Sequence, residues 1–251
     1  MVSLKTTNWT LDNVETVLFD KDGTLIDLHY FWGKMTEMRA QAVIARFNLK
    51  EDCFKTLCSY LGFDTERGKM LSSGITALYS RSKIIEIFKA DLLELGVVTT
   101  EEELAKIFDE VSLDFYKSMQ NQTKPIDSAI EFVRKLHSCG VRMGIVTSDS
   151  VESTKLTMKD FGWDDFFDCA IGRECSKFTK ESGALTSIAL TELDADPKKT
   201  VMVGDAPMDY WGAKNAGVEN TILVSTGQLE VDELLQISPF VVASLNEVLV
   251  V

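Results

Sequence analysis

The sequence has no apolar run that approaches the roughly 20 residues of a membrane-spanning helix. Its first segment, Met1–Thr10, is polar and lacks the apolar stretch of a signal peptide. Cysteine is scarce: the 5 residues follow no zinc or redox spacing, so we expect free thiols in a reducing compartment. These absences predict a cytoplasmic protein that does not contact a membrane.

Basic residues are also few. The chain of 251 residues has 26 Lys and Arg against 39 Asp and Glu, which gives a formal net charge of −13. This surplus of negative charge excludes nucleic acid and anionic membranes as partners of the general surface. An anionic substrate would therefore need a local cluster of cations or a bound metal ion.

The pattern of apolar residues is helical over a long stretch near the start of the chain. A short apolar strand is predicted at 15–20, stopped by a tight turn at Gly23. From about 29 to 120 no strand is predicted. Helices are predicted there at 30–47, 51–61, 75–95 and 101–119.

Short strands alternate with helices in the rest of the chain. Strands are predicted at 141–147, 168–171, 200–204, 221–225 and 240–243, and helices at 127–137, 151–161, 182–192 and 208–216. Such alternation predicts right-handed βαβ units. The fold class is therefore α/β, with a Rossmann-like, mostly parallel sheet flanked by helices and an inserted α-helical domain.

Polar side chains follow three of the predicted strands. Asp20 and Asp22 follow the first strand, Thr147-Ser148-Asp149 follows the second, and Gly204-Asp205 ends the strand that begins at Thr200, with Asp209 shortly after. Ligands of open α/β sheets bind beyond the carboxyl ends of the strands. The sequence therefore predicts a site where at least three carboxylates and a hydroxyl meet.

Crowded carboxylates resist ionisation unless a cation is present, and Mg²⁺ suits oxygen ligands together with a substrate phosphate. With the charges neutralised, an aspartate can attack phosphorus and form an aspartyl-phosphate. Each piece alone has an ordinary structural interpretation: a turn at Asp22-Gly23, a strand-ending hydroxyl at Thr147, a helix cap at Asp205. Their joint occurrence favours a phosphate-handling site.

The segment Val17–Leu25 resembles the Asp-x-Asp-Gly-Thr loop of the haloacid dehalogenase superfamily, especially its phosphoglycolate-phosphatase-like branch. Ile145–Ser148 and Val201–Asp205 with Asp209 resemble two further motifs of that superfamily. The resemblance implies that Asp20 is the nucleophile and a metal ligand. Asp22 would be the acid and base, with its backbone carbonyl on the metal ion.

The same resemblance gives roles to the other strand ends. Thr147 would hydrogen-bond the phosphoryl group, Asp205 would bind the metal ion, and Asp209 would be a second acid around it. We also expect Gly23, Thr24 and Ser148 to bind the substrate, with backbone amides of the turns at 21–23 and 148–149 as donors.

A lysine that bridges the nucleophile and the phosphate is also implied, and Lys177 and Lys180 compete for this role. Lys180 is preferred because its distance from Asp205 fits the helix and strand between them. The Lys-Pro-x-Pro segment of relatives is replaced by Lys180-Glu181-Ser182-Gly183. The lysine is kept but the prolines are not, so the resemblance predicts the positive charge of this loop and not its conformation. Lys21 could add positive potential, but we expect its side chain to point into solvent.

The resemblance implies a catalytic core formed by residues 1–28 and 121–251, with residues 29–120 as a helical cap. It implies a Mg²⁺-dependent phosphomonoester hydrolase that acts on a small phosphorylated metabolite through an aspartyl-phosphate, as a monomer or homodimer. Asp22 argues against a dehalogenase, which lacks this acid. A phosphomutase of the β-phosphoglucomutase type and a non-catalytic phosphometabolite-binding protein remain as alternatives.

Overall fold

The computed structural model describes residues 1–117 and 122–251. The chain divides into two compact units: a core unit, Met1–Asp27 with Pro125–Val251, and a helical unit, Leu28–Lys124. The predicted boundary between 120 and 121, and the predicted helix end at 119, lie outside the described residues. The role of the helical unit as a cap stays a prediction.

Eleven strands are found in the described residues. They are β1 (Val2–Lys5), β2 (Thr10–Val14), β3 (Thr16–Phe19), β4 (Phe63–Asp64), β5 (Lys69–Met70), β6 (Arg142–Val146), β7 (Cys169–Ile171), β8 (Thr200–Gly204), β9 (Asn220–Val224), β10 (Val241–Val242) and β11 (Leu249–Val250).

The α-helices of the described residues follow the predicted positions closely in most cases. They are α1 (Leu28–Phe47), α2 (Phe54–Tyr60), α3 (Ile75–Leu78), α4 (Arg81–Glu94), α5 (Glu101–Lys117), α6 (Asp127–Ser138), α7 (Val151–Phe161), α8 (Ala184–Glu192), α9 (Pro207–Asn215) and α10 (Val231–Leu234). A short 3₁₀ turn at Lys180–Ser182 precedes α8.

The core unit is built on a six-stranded sheet of order β10-β9-β8-β3-β6-β7. Every neighbouring pair in it is parallel, which confirms the predicted parallel α/β sheet. In the central strand, Phe19 is in register with Ile145 of β6 and Val203 of β8. The residues that follow these strands therefore emerge at the same edge, with Asp20 in the middle.

Both faces of this sheet are covered, as its continuous apolar strands require. On one face, Leu18 and Met202 belong to a buried cluster with Leu185 and Ala189 of α8. Phe19 makes edge-on ring contacts with Phe132 of α6 at 6.2 Å and with Phe167 at 6.0 Å between ring centroids. The central strand is thus fixed by packing, and so is the start of the loop that carries Asp20.

Two small sheets were not predicted. β11, β1 and β2 form an antiparallel sheet, in which Leu4 pairs with Val250 and Leu11. β4 and β5 form a two-stranded hairpin inside the region predicted to be purely helical. Each strand is short, and β1 finds one of its partners at the opposite end of the chain, so no local pattern indicates the pairing.

The prediction of one continuous helix at 75–95 is wrong, because the structure has two helices there, α3 and α4. Tyr79 and Ser80 have extended backbone angles, which separate α3 from α4. The helical unit nevertheless has its own core, in which Phe88 and Phe108 are fully buried. Within the described ranges, no helix is both long enough and apolar enough to span a membrane.

Candidate active site

The loop after β3 is folded tightly onto its own backbone. The amides of Leu25 and Ile26 donate to the carbonyl oxygen of Lys21 at 2.8 and 2.9 Å, and the Gly23 amide donates to Ile26 at 2.8 Å. Gly23 has a φ of +89°, and a Cβ there would lie 2.4 Å from Asp205 Oδ2. The turn therefore needs glycine, both for its conformation and to let the loop approach Asp205.

Three carboxylates meet beside this loop. Asp20, Asp205 and Asp209 are all buried, and one carboxylate oxygen of each lies within 4.8 Å of the others. Thr24, which is fully buried, donates from its hydroxyl to Asp205 Oδ1 at 3.3 Å. Asp209 also accepts a hydrogen bond from the Ala206 amide at 3.0 Å, so it fixes the start of α9 as well.

A buried lysine lies between two of these acids. Lys180 Nζ is 2.6 Å from Asp20 Oδ1 and 2.5 Å from Asp209 Oδ1, and the residue is only 4% exposed. Lys177, the competing candidate, is exposed and stands 5.1 Å from the centre of the Phe178 ring. The structure thus brings Lys180, and not Lys177, to the predicted nucleophile.

The acidity of these groups reflects burial and crowding. Burial raises the pKa of Asp205 well above its ordinary value, and the charges of Asp20 and Asp209 raise it further. The pKa of Asp20 is also raised by burial, against the attraction of Lys180. Burial would lower the pKa of Lys180, but the charges of Asp20 and Asp209 outweigh it and raise the value.

This donor set fits a hard divalent cation. Oxygen ligands are what Mg²⁺ prefers, and a cation would relieve the mutual repulsion that raises the pKa of Asp205. The three carboxylates that could hold it are Asp20, Asp205 and Asp209. Asp22 is predicted to bind the metal ion through its backbone carbonyl, and this stays a prediction; its side chain is outside this group.

The loop after β6 adds hydroxyl and carboxyl groups at the neighbouring strand end. Thr147 is 1% exposed, and its hydroxyl oxygen accepts a hydrogen bond from the Asp149 amide at 3.1 Å. Ser148 is exposed, and its hydroxyl lies 3.6 Å from the sulfur of Met208. Contact of Thr147, Ser148, Gly23 and Thr24 with a substrate stays a prediction.

The expectation that Lys21 points into solvent is wrong. Its side chain is buried, and its Nζ lies 2.8 Å from Asp22 Oδ1 and 2.9 Å from Asp149 Oδ2. Burial would lower the pKa of this lysine, but the charges of Asp22 and Asp149 raise it above the ordinary value. Of these two partners, only Asp22, the next residue in the chain, could have been recognised from the sequence; Asp149 becomes a partner because β6 pairs with β3 in the sheet.

The loop after β9 also reaches the site, although no sequence motif marks this loop. Thr226 donates from its hydroxyl to the carbonyl of Gly23 at 2.6 Å. A Cβ on Gly227 would lie 1.8 Å from Asp205 Oδ2, so a side chain at this position would displace the carboxylate. Because β9 neighbours β8 in the sheet, its carboxyl end could have been searched as the other strand ends were.

A known protein family matches most of this chain. The model of haloacid dehalogenase-like hydrolases matches residues 14–217. The chain therefore belongs to the haloacid dehalogenase-like hydrolases.

Curated relatives point to one class of enzyme within that family. The pyrophosphatase PpaX of Halalkalibacterium halodurans is 27% identical over 210 residues, 84% of this chain and 83% of that protein. The pyrophosphatase PpaX of Bacillus mycoides is 26% identical over 212 residues, 84% of each. The family match and the names of these relatives support phosphatase as the enzyme class.

Solved structures share the fold at low sequence identity. A predicted phosphoglycolate phosphatase from Haemophilus somnus has a TM-score of 0.70 and 15% identity, covering 94% of this chain and 97% of that one. A haloacid dehalogenase superfamily hydrolase from Geobacter sulfurreducens has a TM-score of 0.67 and 16% identity, covering 97% of each chain. These likenesses establish the fold.

Proposed function

We propose that the protein is a Mg²⁺-dependent phosphatase that hydrolyses a small phosphorylated metabolite through an aspartyl-phosphate on Asp20. The observation that carries the proposal is the contact of Lys180 with Asp20 at 2.6 Å beside the carboxylates of Asp205 and Asp209. It supplies a nucleophile, a fixed cation next to it and ligands for a metal ion in one place.

In the first step, an oxygen of the Asp20 carboxylate forms a bond to phosphorus, and the bond from phosphorus to the leaving oxygen breaks. Lys180 holds Asp20 in position and offsets the negative charge that builds up on the phosphoryl oxygens. Asp22 gives its proton to the leaving oxygen. Burial raises the pKa of Asp22; the charge and hydrogen bond of Lys21 lower it, and the charges of Asp149 and Asp20 raise it, so the net shift is upward and favours the protonated form that the step requires.

In the second step, the Asp22 carboxylate takes a proton from a water molecule as the water oxygen attacks phosphorus. The bond between phosphorus and Asp20 breaks, which returns the Asp20 carboxylate and releases phosphate. Thr147, buried at the end of β6, is the hydroxyl we assign to the phosphoryl group. A bound Mg²⁺ would supply positive charge that lets an anionic nucleophile and an anionic phosphate come together.

The names of the relatives bear on the choice of substrate. Inorganic pyrophosphate belongs among the candidates because the curated relatives are named pyrophosphatases. Small phosphomonoesters are also candidate substrates, because the proposed role of Asp22 is to protonate an alcohol as it leaves. The proposal includes a cytoplasmic location, which the five free cysteines support, and a monomer or homodimer.

The test is phosphate release from pyrophosphate and a panel of phosphomonoesters, with Mg²⁺ and with a chelator, for the wild type and Asp20→Asn. The amide of asparagine cannot attack phosphorus, so we expect Asp20→Asn to lose more than about a thousandfold in kcat while its circular dichroism stays unchanged. Chelation should stop the wild type, and added Mg²⁺ should restore it.

Activity retained by Asp20→Asn would overturn the assignment of the nucleophile. Activity unchanged by chelation would overturn the metal dependence. Conversion of a phosphate ester into its isomer, without release of phosphate, would instead identify the phosphomutase alternative.

A further inference from the structure

Lys21 connects two loops of the candidate active site. It lies between Asp20 and Asp22 in the loop after β3, and its ammonium group contacts both Asp22 and Asp149, at 2.8 and 2.9 Å. Its side chain is only 2% exposed and those of Asp22 and Asp149 are 17% and 15% exposed, so these ion pairs are largely shielded from solvent and from salt. None of the roles proposed above uses this lysine.

The far end of this connection is firmly held. One oxygen of Asp149 accepts a hydrogen bond from the Ser150 amide at 2.7 Å, while the other faces Lys21. The Asp149 amide donates to the Thr147 hydroxyl at 3.1 Å, and its carbonyl accepts from the Arg173 amide at 2.9 Å. Asp149 is therefore anchored through its backbone and its side chain, and it can serve as a fixed point for Lys21.

At Asp22, Lys21 contacts only one of the two carboxyl oxygens. Lys21 contacts Oδ1 of Asp22, and within the described residues Oδ2 of this carboxyl group makes no hydrogen bond or ion pair. A carboxyl group held by one oxygen keeps a defined direction, and the other oxygen can carry the proton. The sequence of contacts runs from Thr147 and Asp149 through Lys21 to Asp22.

We propose that Lys21 is a positioning residue that, anchored on Asp149, orients the carboxyl group of Asp22 toward the leaving oxygen. This inference rests on the proposed phosphatase function and adds a residue to it. Lys21 does not touch the substrate; it acts through Asp22. A lysine that only neutralised buried charge would stabilise the fold without affecting one catalytic step more than another.

The two roles differ in their dependence on the leaving group. An alkoxide is strongly basic and needs a proton as it leaves, whereas p-nitrophenolate is stable without one. Because kcat/KM reports the steps up to transfer of the phosphoryl group, it should reveal this difference. We expect Lys21→Met to lower kcat/KM for an alkyl phosphate by about 30-fold or more, and for p-nitrophenyl phosphate by less than about threefold.

Further variants separate positioning from loss of stability. Lys21→Arg keeps the cation and should recover most of the activity toward the alkyl phosphate. Asp149→Asn should reproduce the selective loss, since it removes the anchor. The double variant Lys21→Met/Asp149→Asn leaves no unpaired buried charge at Asp149, so it should fold well and still show the altered preference, with effects that do not add.

Lys199→Met is the matched control. It removes a lysine of the same unit that pairs with Glu15 at 3.0 Å, close to the start of β3, and the ratio of the two kcat/KM values should stay as in the wild type. If the wild type hydrolyses both esters and Lys21→Met lowers both values equally, the phosphatase function stands and the positioning role is overturned. If the wild type releases phosphate from neither ester, and from neither pyrophosphate nor any other member of the phosphomonoester panel, the proposed function itself fails, and this inference fails with it.

Discussion

Asp205 combines burial with two acidic neighbours, and its pKa lies well above the ordinary value of 3.8 for that reason. In the unfolded chain this carboxyl group loses its proton near the ordinary value. In the folded, metal-free protein it keeps the proton to higher pH. Asp205 therefore contributes stability that is present below the unfolded pKa and is lost as the pH rises through the folded pKa.

Replacing Asp205 with asparagine removes this pH-dependent loss. In the presence of a chelator, we expect the stability of Asp205→Asn relative to the wild type to increase as the pH rises from about 4 to 8, by more than ~1 kcal/mol in total. Chemical denaturation followed by circular dichroism at several pH values measures the difference. Mg²⁺ should stabilise the wild type more than the variant, because Asp205 is a proposed ligand.

Asp165→Asn is the control for this comparison, since it removes an exposed aspartate of the same unit. Its stability relative to the wild type should change little with pH over the same range. If the advantage of Asp205→Asn stayed constant or shrank with rising pH, the crowding of the carboxylates would not have the energetic effect assigned to it.

Single residues of the site were predictable to different degrees. Asp20, Asp205, Asp209 and Lys180 are close together as the motifs indicated. Parallel strands bring Asp20 and Asp205 to one edge of the sheet, Asp209 follows in α9, and Lys180 comes from the turn before α8. Lys21 was misjudged, because most lysines are exposed and only the three-dimensional position of Asp149 provides the second partner that makes burial favourable.

At the scale of elements, the loop after β9 forms one wall of the Asp205 site. Its Gly227 leaves no room for a side chain, because a Cβ would lie 1.8 Å from Asp205 Oδ2 and 2.8 Å from Asp205 Cβ. Thr226 ties the same loop to Gly23. Asp205 is thus bounded by the loops after β3 and β9 as well as by its own strand.

Gly227→Ala should therefore impair catalysis by displacing Asp205. A displacement of about 1 Å at a reacting site can cost on the order of 100-fold in rate, so we expect a loss of at least tenfold in kcat and a higher Mg²⁺ concentration for half-maximal activity. Steady-state kinetics over a Mg²⁺ titration measures both.

Gly140→Ala provides the comparison, because a Cβ there meets nothing within 4 Å and the residue has a φ of +71°. This variant should lose about 1 kcal/mol of stability from backbone strain and keep its kcat. Equal kcat and Mg²⁺ dependence for Gly227→Ala and the wild type would show that the loop after β9 does not constrain Asp205.

Elements with a strong local pattern were predicted, and elements defined by distant partners were not. β3, β6 and β8 are continuous apolar runs with polar residues after them, so the sequence located them within a residue or two. β1 and β11 pair across the whole length of the chain, with Leu4 opposite Val250, and neither is recognisable without its partner. The loop after β9 was missed because Gly227 acts by having no side chain, and a sequence shows no functional group at such a position.

At the scale of the whole molecule, the net charge of −13 opposes the approach of an anionic substrate. The two buried lysines of the site do not reverse this locally. Lys180 is paired with Asp20 and Asp209, and Lys21 with Asp22 and Asp149. Carboxylates outnumber lysines in these networks, so binding of phosphate requires an additional cation. The charge of the whole molecule is thus a further reason to expect dependence on Mg²⁺.

The fold class and the family could be predicted from the order of the motifs in the sequence. Each motif follows a predicted strand, and a parallel sheet brings the ends of its strands to one edge. The identity of the substrate did not follow, since it depends on side chains that surround the leaving group and no motif encodes these. The proposed chemistry at Asp20 is therefore the same whichever substrate the protein prefers.

The most direct test is to look for the phosphoryl group on Asp20 itself. The enzyme with Mg²⁺ and p-nitrophenyl phosphate is quenched in acid within the first turnovers, digested, and analysed by mass spectrometry. We predict a phosphorylated peptide containing Asp20, more abundant in Asp22→Asn, where the water lacks its base, and absent from Asp20→Asn. Release of phosphate by the wild type with no phosphorylated Asp20 in either wild type or Asp22→Asn would contradict the account.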